Sequence, residues 1–303
     1  MEREVSIESS TAVAKALSDA GLKAELHIID QLDNLAHIAG DVVFPVLHGR
    51  WGEGGPLQDI LVRDGRPYVG CGPLAARTCM DKIAAKLEAA RFGIRTPPAC
   101  LYNHNDRVAM EPPLVMKPAL EGSSVGLSIC RTPEDVEQAV AFAKQDLRAH
   151  PGQVTMVERL IKGREVSSPL IAKDGKLVAL PLIEIAPAEG VYDYEAKYKR
   201  DDTVYTVDPG GIDAAPIQAD TLKLAGAIGV RHLCRADYII DEAGRHWLLE
   251  INTMPGFTSH SLVPQAARRT GMEMHELCAH LVQEALTGAK GRSGALHSSE
   301  TAP

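Results

Sequence analysis

The sequence predicts a mixed fold of helices and strands, α/β at its N-terminal end, and three observations carry that reading. Strand-like and helix-like segments alternate as far as residue 93. Several strand-like segments crowd between 114 and 185 with one helix among them, and residues 233–252 read as two strands folded back on each other. Alternation of strand and helix is the pattern of a parallel sheet. At 303 residues and 45% hydrophobic, the chain can bury a substantial core in two or three domains.

In chain order, residues 6–20 carry Val13, Ala16, Leu17 and Ala20 at helical spacing and stop at Gly21. "AELHIID" (24–30) and "DVVFPVLHG" (41–49) read as strands of a parallel sheet, with Pro45 removing a ladder donor from the second. "DKIAAKLEAARFG" (81–93) places Ile83, Leu87 and Ala90 on one helical face before a glycine stop, and "RTPPA" reads as a linker. Strands are then expected at 114–120, 154–160, 165–172 and 177–185. Between them a helix over 132–148 opens with Thr132 as cap, Pro133 in the first turn and two acids at the positive end of the dipole. Residues 186–215, with "VYDYEAKYKRDD", form a long irregular stretch of the kind that is functional or mobile. The tail after Gly288 has no apolar period and reads as disordered.

A formal charge of -8 spread over 24% charged residues favours neither nucleic acid nor membrane as a partner. Six cysteines without a C-x-x-C pair argue against a structural zinc site or a disulfide framework, and a reducing cytoplasm fits them. No window approaches the roughly 20 apolar residues of a spanning helix, and the charged start "MEREVSIESS" is unlike a signal peptide.

The chemistry concentrates in "LCRADYIIDEAGRHWLLEIN" (233–252). A turn centred on Ala243-Gly244 places Asp237 opposite Glu250 and Arg235 opposite Asn252, all four on one face, with the carboxylates about 5 Å apart at Cβ. Like charges so placed repel, and a hard divalent cation between them, magnesium first, removes the conflict; Asn252 adds an oxygen ligand. Tyr238, Ile240, Trp247, Leu249 and Ile251 supply the apolar face behind. A solvated hairpin face is the competing reading. In "VMKPALEGSSVGLS", Lys117 ends a strand and Gly122 and Gly126 flank Ser123 and Ser124, a phosphate cradle or simply a glycine-rich hairpin. Lys82 opens the helix at 81. "VERLIKGRE" sets Glu158 and Glu165 where they reach a base and a sugar, or where they are ordinary strand-edge charge. His48 follows an apolar run, and Tyr192, Tyr194 and Tyr198 surround Lys197 in a loop that is either a lid or a surface turn.

Taken in order, "EREVS", "LHGRWGEGG", "MDK", "VMKPALEGSSVG", "VERLIKGRE", "YDYEAKY", "CRADYI" and "LEINTMPGFTSHSLVP" resemble the D-alanine:D-alanine ligases of the ATP-grasp superfamily across almost the whole chain. The resemblance implies an N-terminal parallel-sheet α/β domain (1–78) followed by a two-part α+β ATP-grasp fold: a small central domain (79–163) and a C-terminal domain with the metal and substrate sites (164–288). Residues 289–303 would be a disordered tail. It implies ATP-dependent joining of two D-alanine molecules through an acyl phosphate, for peptidoglycan precursors, by a cytoplasmic homodimer. Lys82, Lys117 and Ser124 would hold ATP phosphates; Glu158, the backbone of Arg159, Leu160 and Ile161, and Glu165 would hold adenine and ribose. Asp237, Glu250 and Asn252 would bind two magnesium ions, or manganese. Glu2, Ser123 and Tyr198 would position the first D-alanine, with His48, Arg235 and the Gly256 N–H at substrate and oxyanion. Lys197, Ser261 and the backbone of Leu262 would receive the second D-alanine carboxylate.

Members of the family usually begin with an apolar strand and a glycine-rich turn before "EREVS", which here starts at residue 2. The expectation is a start codon placed too late, with Glu2 unsupported and the chain as it stands poorly active. Ala236 and Gly54 are tolerable variants. The alternatives are a relative making D-alanyl-D-lactate or D-alanyl-D-serine, against which "EAKY" with Tyr198 argues, and a non-catalytic nucleotide-binding protein.

Overall fold

The computed structural model describes residues 2–122, 125–187 and 203–297, without the side chains of Glu2 and of 289–297. In chain order the elements are α1 (Glu2–Asp19), α2 (Arg50–Glu53), α3 (Pro56–Asp64), α4 (Pro73–Met80), α5 (Lys82–Arg91), β1 (Ala99–Leu101), β2 (Leu114–Pro118), β3 (Ser128–Cys130) and α6 (Pro133–Ala149). They continue with β4 (Thr155–Arg159), β5 (Arg164–Lys173), β6 (Lys176–Ala179), β7 (Ile183–Ala186), β8 (Val204–Val207), α7 (Ala214–Ile228), β9 (Leu233–Ile240), β10 (His246–Asn252), α8 (Leu262–Arg269) and α9 (Met274–His297).

Two antiparallel sheets organise the molecule. The smaller has the order β1-β4-β2-β3; the larger runs β10-β9-β5-β7-β8, with β6 paired to β5. Leu114, Met116 and Val157 turn one face of the small sheet onto Ala139 and Ala143 of α6. Its other face carries Lys117 and Glu158, because strand residues alternate. The large sheet is packed on both sides. Ile171, Ile183, Ile185 and Leu233 meet α1, α8 and α9, while Val166, Leu170, Tyr238, Leu248 and Ile251 meet α4, α5 and α7. Polar residues at one end of an otherwise sandwiched sheet therefore need a specific reason to be there.

The N-terminal region departs from the expected parallel sheet. Among the described residues its parallel contact is an isolated bridge between Val43 and Tyr68, and residues 24–30 form no strand. A parallel strand is held by neighbours on which to lay its ladder; residues 24–30 have none, and Leu26 and Ile28 stay exposed. The region is instead built from α1, α3 and α4, with Leu57, Ile60, Leu61 and Tyr68 forming a small core. Three other expectations change: the strand expected over 177–185 is two, β6 and β7, each paired with β5. Val204–Val207, inside the stretch expected to be irregular, pairs with β7, and α9 continues to His297, into the segment expected to lack structure. Once a helix is docked by Leu277, Cys278 and Leu281, adding residues costs little.

Candidate active site

The hairpin of β9 and β10 fixes the first part of the site. Its turn is tied by Asp241, which accepts from Arg245 N at 2.9 Å and from the Trp247 indole at 2.9 Å. Near the turn His246 faces Ile240 and Leu248 faces Tyr238; the register then shifts between Leu248 and Glu250, so that Glu250 faces Asp237 and Asn252 faces Arg235. The polar pairing is the one the sequence implies, but a bulge at Leu249 produces it. The bulge also changes the apolar face: Leu248, not Leu249, joins Tyr238 and Ile251 in the core, and Leu249 and Trp247 are half-buried.

Each acid on this ledge is matched by a cation. Arg235 forks onto Asp237, with Nη2 donating to Oδ2 at 2.8 Å and Nε to Oδ1 at 2.9 Å. Lys82, held at the start of α5, places Nζ 3.2 Å from Glu250 Oε2 and donates to the Glu121 carbonyl at 2.5 Å. The Asn252 amide oxygen accepts from Met254 N at 2.8 Å. Two carboxylates and an amide oxygen, facing basic groups, form a hard-donor set that fits a divalent cation such as magnesium. Among the described residues no three His, Cys, Asp or Glu side chains group to hold a metal. The set would therefore be completed by oxygens from elsewhere, such as a polyphosphate.

The ledge opens into a cleft of about 640 Å³ lined by His48, Lys82, Arg235, Glu250, Asn252, Gly256, Ser261 and Leu262. Helix α1 fixes its wall: Ser6 Oγ accepts from His48 N at 3.0 Å, and Ser9 Oγ from Phe257 N at 3.2 Å. Burial pushes the His48 pKa down to about 4, a hydrogen bond with the Met254 backbone opposes this, and Arg235 lowers it further, so the ring is neutral. Its Nε2 is buried without a hydrogen-bond partner among the described residues. Ser261 Oγ accepts from Thr258 N at 2.9 Å and would lie 3.1 Å from a Cβ added at Gly256, so that loop and the start of α8 are closely fitted. Leu262 is the first residue of α8, where backbone N–H groups lack helical partners and attract anions.

A second cluster lies on the inner face of the small sheet. The Glu158 carboxylate is hydrogen-bonded by Lys117 and lies 2.9 Å from Lys86 Nζ, and all three side chains are buried. Burial alone would push the Glu158 carboxyl up, yet the two lysines hold it below its ordinary value; burial pushes Lys86 down. Of the linker amides expected to face a base, Arg159 N donates to Pro98 O at 2.9 Å and Leu160 N to Pro113 O at 3.2 Å. These two N–H groups are already committed to the protein's own backbone. Glu165 shares its sheet face with Ser167, opposite Ile239 on β9.

Residues 101–283 match the family model described as D-ala D-ala ligase C-terminus. The chain belongs to the D-alanine–D-alanine ligase family. A D-alanine–D-alanine ligase from Bordetella petrii is 39% identical over 94% of this chain and 88% of that protein. One from Psychrobacter is 40% identical over 94% of this chain and 86% of its own length. The solved D-alanine–D-alanine ligase from Bacillus anthracis complexed with ATP superposes with a TM-score of 0.78 at 27% identity, covering 96% of this chain and 95% of that one. A D-Ala:D-Ser ligase from Enterococcus faecalis gives 0.69 at 30% identity over 82% and 74%.

For a member of this ligase family, the distribution of the expected residues is informative. His48, Lys82, Arg235, Glu250, Asn252, Gly256, Ser261 and Leu262 share one cleft, Asp237 is hydrogen-bonded by Arg235 two residues away on the same strand, and Lys117 and Glu158 meet on the small sheet. Ser123, Ser124, Lys197 and Tyr198, with Tyr192 and Tyr194, lie outside the described residues, as does the Glu2 side chain. Sequence reasoning missed Ser6, Ser9 and Lys86. The serines are three apart on one face of α1, and Lys86 is one turn beyond Lys82, so helical spacing carried the signal.

Proposed function

We propose that the chain joins two D-alanine molecules into D-alanyl-D-alanine with ATP converted to ADP, supplying a peptidoglycan precursor. The observation that carries this reading is the ledge of Asp237, Glu250 and Asn252, each acid facing a basic side chain, with Glu250 and Asn252 lining a cleft that also takes in the start of α8. A carboxylate is a poor electrophile. Transfer of the ATP γ-phosphoryl group to the first D-alanine makes an acyl phosphate, which the amine of the second attacks, releasing phosphate.

Asp237, Glu250 and Asn252 would hold two magnesium ions, or manganese, whose chemistry when bound is to screen the phosphate charge as the phosphoryl group moves. Lys82 and Lys117 add positive charge along the polyphosphate, and Glu158, Glu165 and the backbone of Ile161 face base and sugar. Arg235 and the Gly256 N–H face the developing oxyanion, an arrangement worth about 3 to 4 kcal/mol per donor in comparable sites. His48, neutral, contacts the first D-alanine; Ser261 and the Leu262 N–H receive the carboxylate of the second. Lys197, Tyr198, Ser123 and Glu2 complete this reading from the sequence. By the same resemblance the protein works as a cytoplasmic homodimer; among the described residues no helix is long and apolar enough to cross a membrane.

The test is ADP release. D-Alanine alone should support it and L-alanine should not. No ADP release with D-alanine present would favour a non-catalytic nucleotide-binding protein. Because a D-Ala:D-Ser ligase is among the similar structures, product mass with D-serine or D-lactate present decides the second substrate.

A further inference from the structure

We infer that Ser167 is a positioning residue that orients Asp237 for its cation, an inference that rests on the reading of Asp237 as a metal ligand. Strand β5 carries two adjacent, fully buried serines. Ser167 faces Asp237 in the register of β5 and β9, and its Oγ–H donates to Asp237 Oδ1 at 2.8 Å. Ser168 points to the opposite face of the strand, and its Oγ has no hydrogen-bond partner among the described residues. Two residues of the same type, side by side and equally buried, thus differ in one respect: only Ser167 touches a carboxylate.

The two partners of Asp237 are not equivalent. Arg235 holds it through both oxygens, Nε at 2.9 Å from Oδ1 and 3.2 Å from Oδ2, Nη2 at 2.8 Å from Oδ2. A divalent cation arriving at Asp237 competes with the guanidinium for the same lone pairs and repels it, so Arg235 must give way, which also frees it for substrate. A neutral hydroxyl proton suffers no such repulsion. Ser167 can keep its bond to Oδ1 while Arg235 leaves, fixing a carboxylate torsion that is otherwise broad and turning Oδ2 to the cation. Hydrogen bonds that orient ligating side chains in this way typically govern metal affinity by 10- to 100-fold.

The experiment measures Mn2+ binding to the full chain in the presence of ADP, by the electron paramagnetic resonance of free Mn2+. Ser167→Ala should weaken Mn2+ binding about tenfold while metal-free ADP binding is unchanged, and Ser168→Ala should stay within about twofold of the parent. Should Ser167→Ala not fold, the near-isosteric Ser167→Cys, with its weaker donor, should show a smaller loss in the same direction. Mn2+ affinity unchanged in the Ser167 variant, or weakened equally in Ser168→Ala, overturns the inference. Asp237→Asn separates the two levels. If it loses Mn2+ and Ser167→Ala does not, only the role of Ser167 fails; if it too binds Mn2+ normally, the metal-ligand reading of Asp237 fails.

Discussion

His48 shows how a single side chain is set by its surroundings. An exposed imidazole would titrate near 6.5; here burial and the positive charge of Arg235 bring it to about 4 despite the hydrogen bond with Met254. Between those values the unfolded chain binds a proton that the folded chain does not, so stability rises with pH across the window. It is complete above 6.5 and is lost as pH falls towards 4. The interval corresponds to about 3 kcal/mol at 1.36 kcal/mol per pKa step. Urea unfolding followed from pH 7 to 4.5 should therefore show a steeper loss for the parent than for His48→Gln. Equal slopes would mean that His48 is not held neutral. The sequence identified His48 as a substrate-side residue, but not its protonation state, because that depends on Ser6, Met254 and Arg235 closing around it from three distant segments.

At the scale of elements, α5 depends on the residue that caps it. Asp81 accepts from Ile83 N at 2.9 Å and Ala84 N at 3.2 Å, satisfying two of the orphan donors at the helix start. Ten-residue helices are marginal on their own, and Lys82, which faces Glu250, sits in the capped turn. Asp81→Ala should lower unfolding stability by about 1 kcal/mol and raise KM for ATP, while Asp81→Asn, which keeps an acceptor, should do neither. If the alanine variant matches the asparagine one in both measurements, the cap does not hold Lys82. This helix, α6, β2, β4 and β5 were legible because their periodicity is long and their punctuation strong, whereas the three-residue β3 and the break between β6 and β7 were not. The short helices α2 to α4 were not, since they have only four to nine residues and each follows directly on a glycine. The bulge at Leu249 was equally hidden. Sequence alternation gives the partner of each acid, but an inserted residue leaves no mark when apolar residues stand on both sides of it.

Across the whole molecule, the order of motifs carried the family, and what remained out of reach was how a helix and the small sheet share charges. Lys86 from α5, Lys117 from β2 and Glu158 from β4 meet in the interior between the small sheet and the rest of the protein. Lys86 also donates to Thr96 Oγ1 and, at 3.2 Å, to Pro97 O, so it ties the linker between α5 and β1 to the same point. Two buried ammonium groups around one carboxylate leave an excess positive charge, which suits a place where an anionic nucleotide is to sit. The arrangement also makes the fold sensitive to loss of the acid. Glu158 is held below its ordinary 4.5, so its contribution is present above that pH and is lost as pH falls through the folded value. Glu158→Gln should cost about 3 to 5 kcal/mol, because both lysines then lose their counter-charge. Replacing Lys86 with methionine in the same chain removes one uncompensated cation, so the double variant should unfold at higher denaturant than the sum of the single losses allows. Strictly additive losses in the denaturation cycle would show that Lys86 and Glu158 act independently, and that the interior is not organised around this charge cluster.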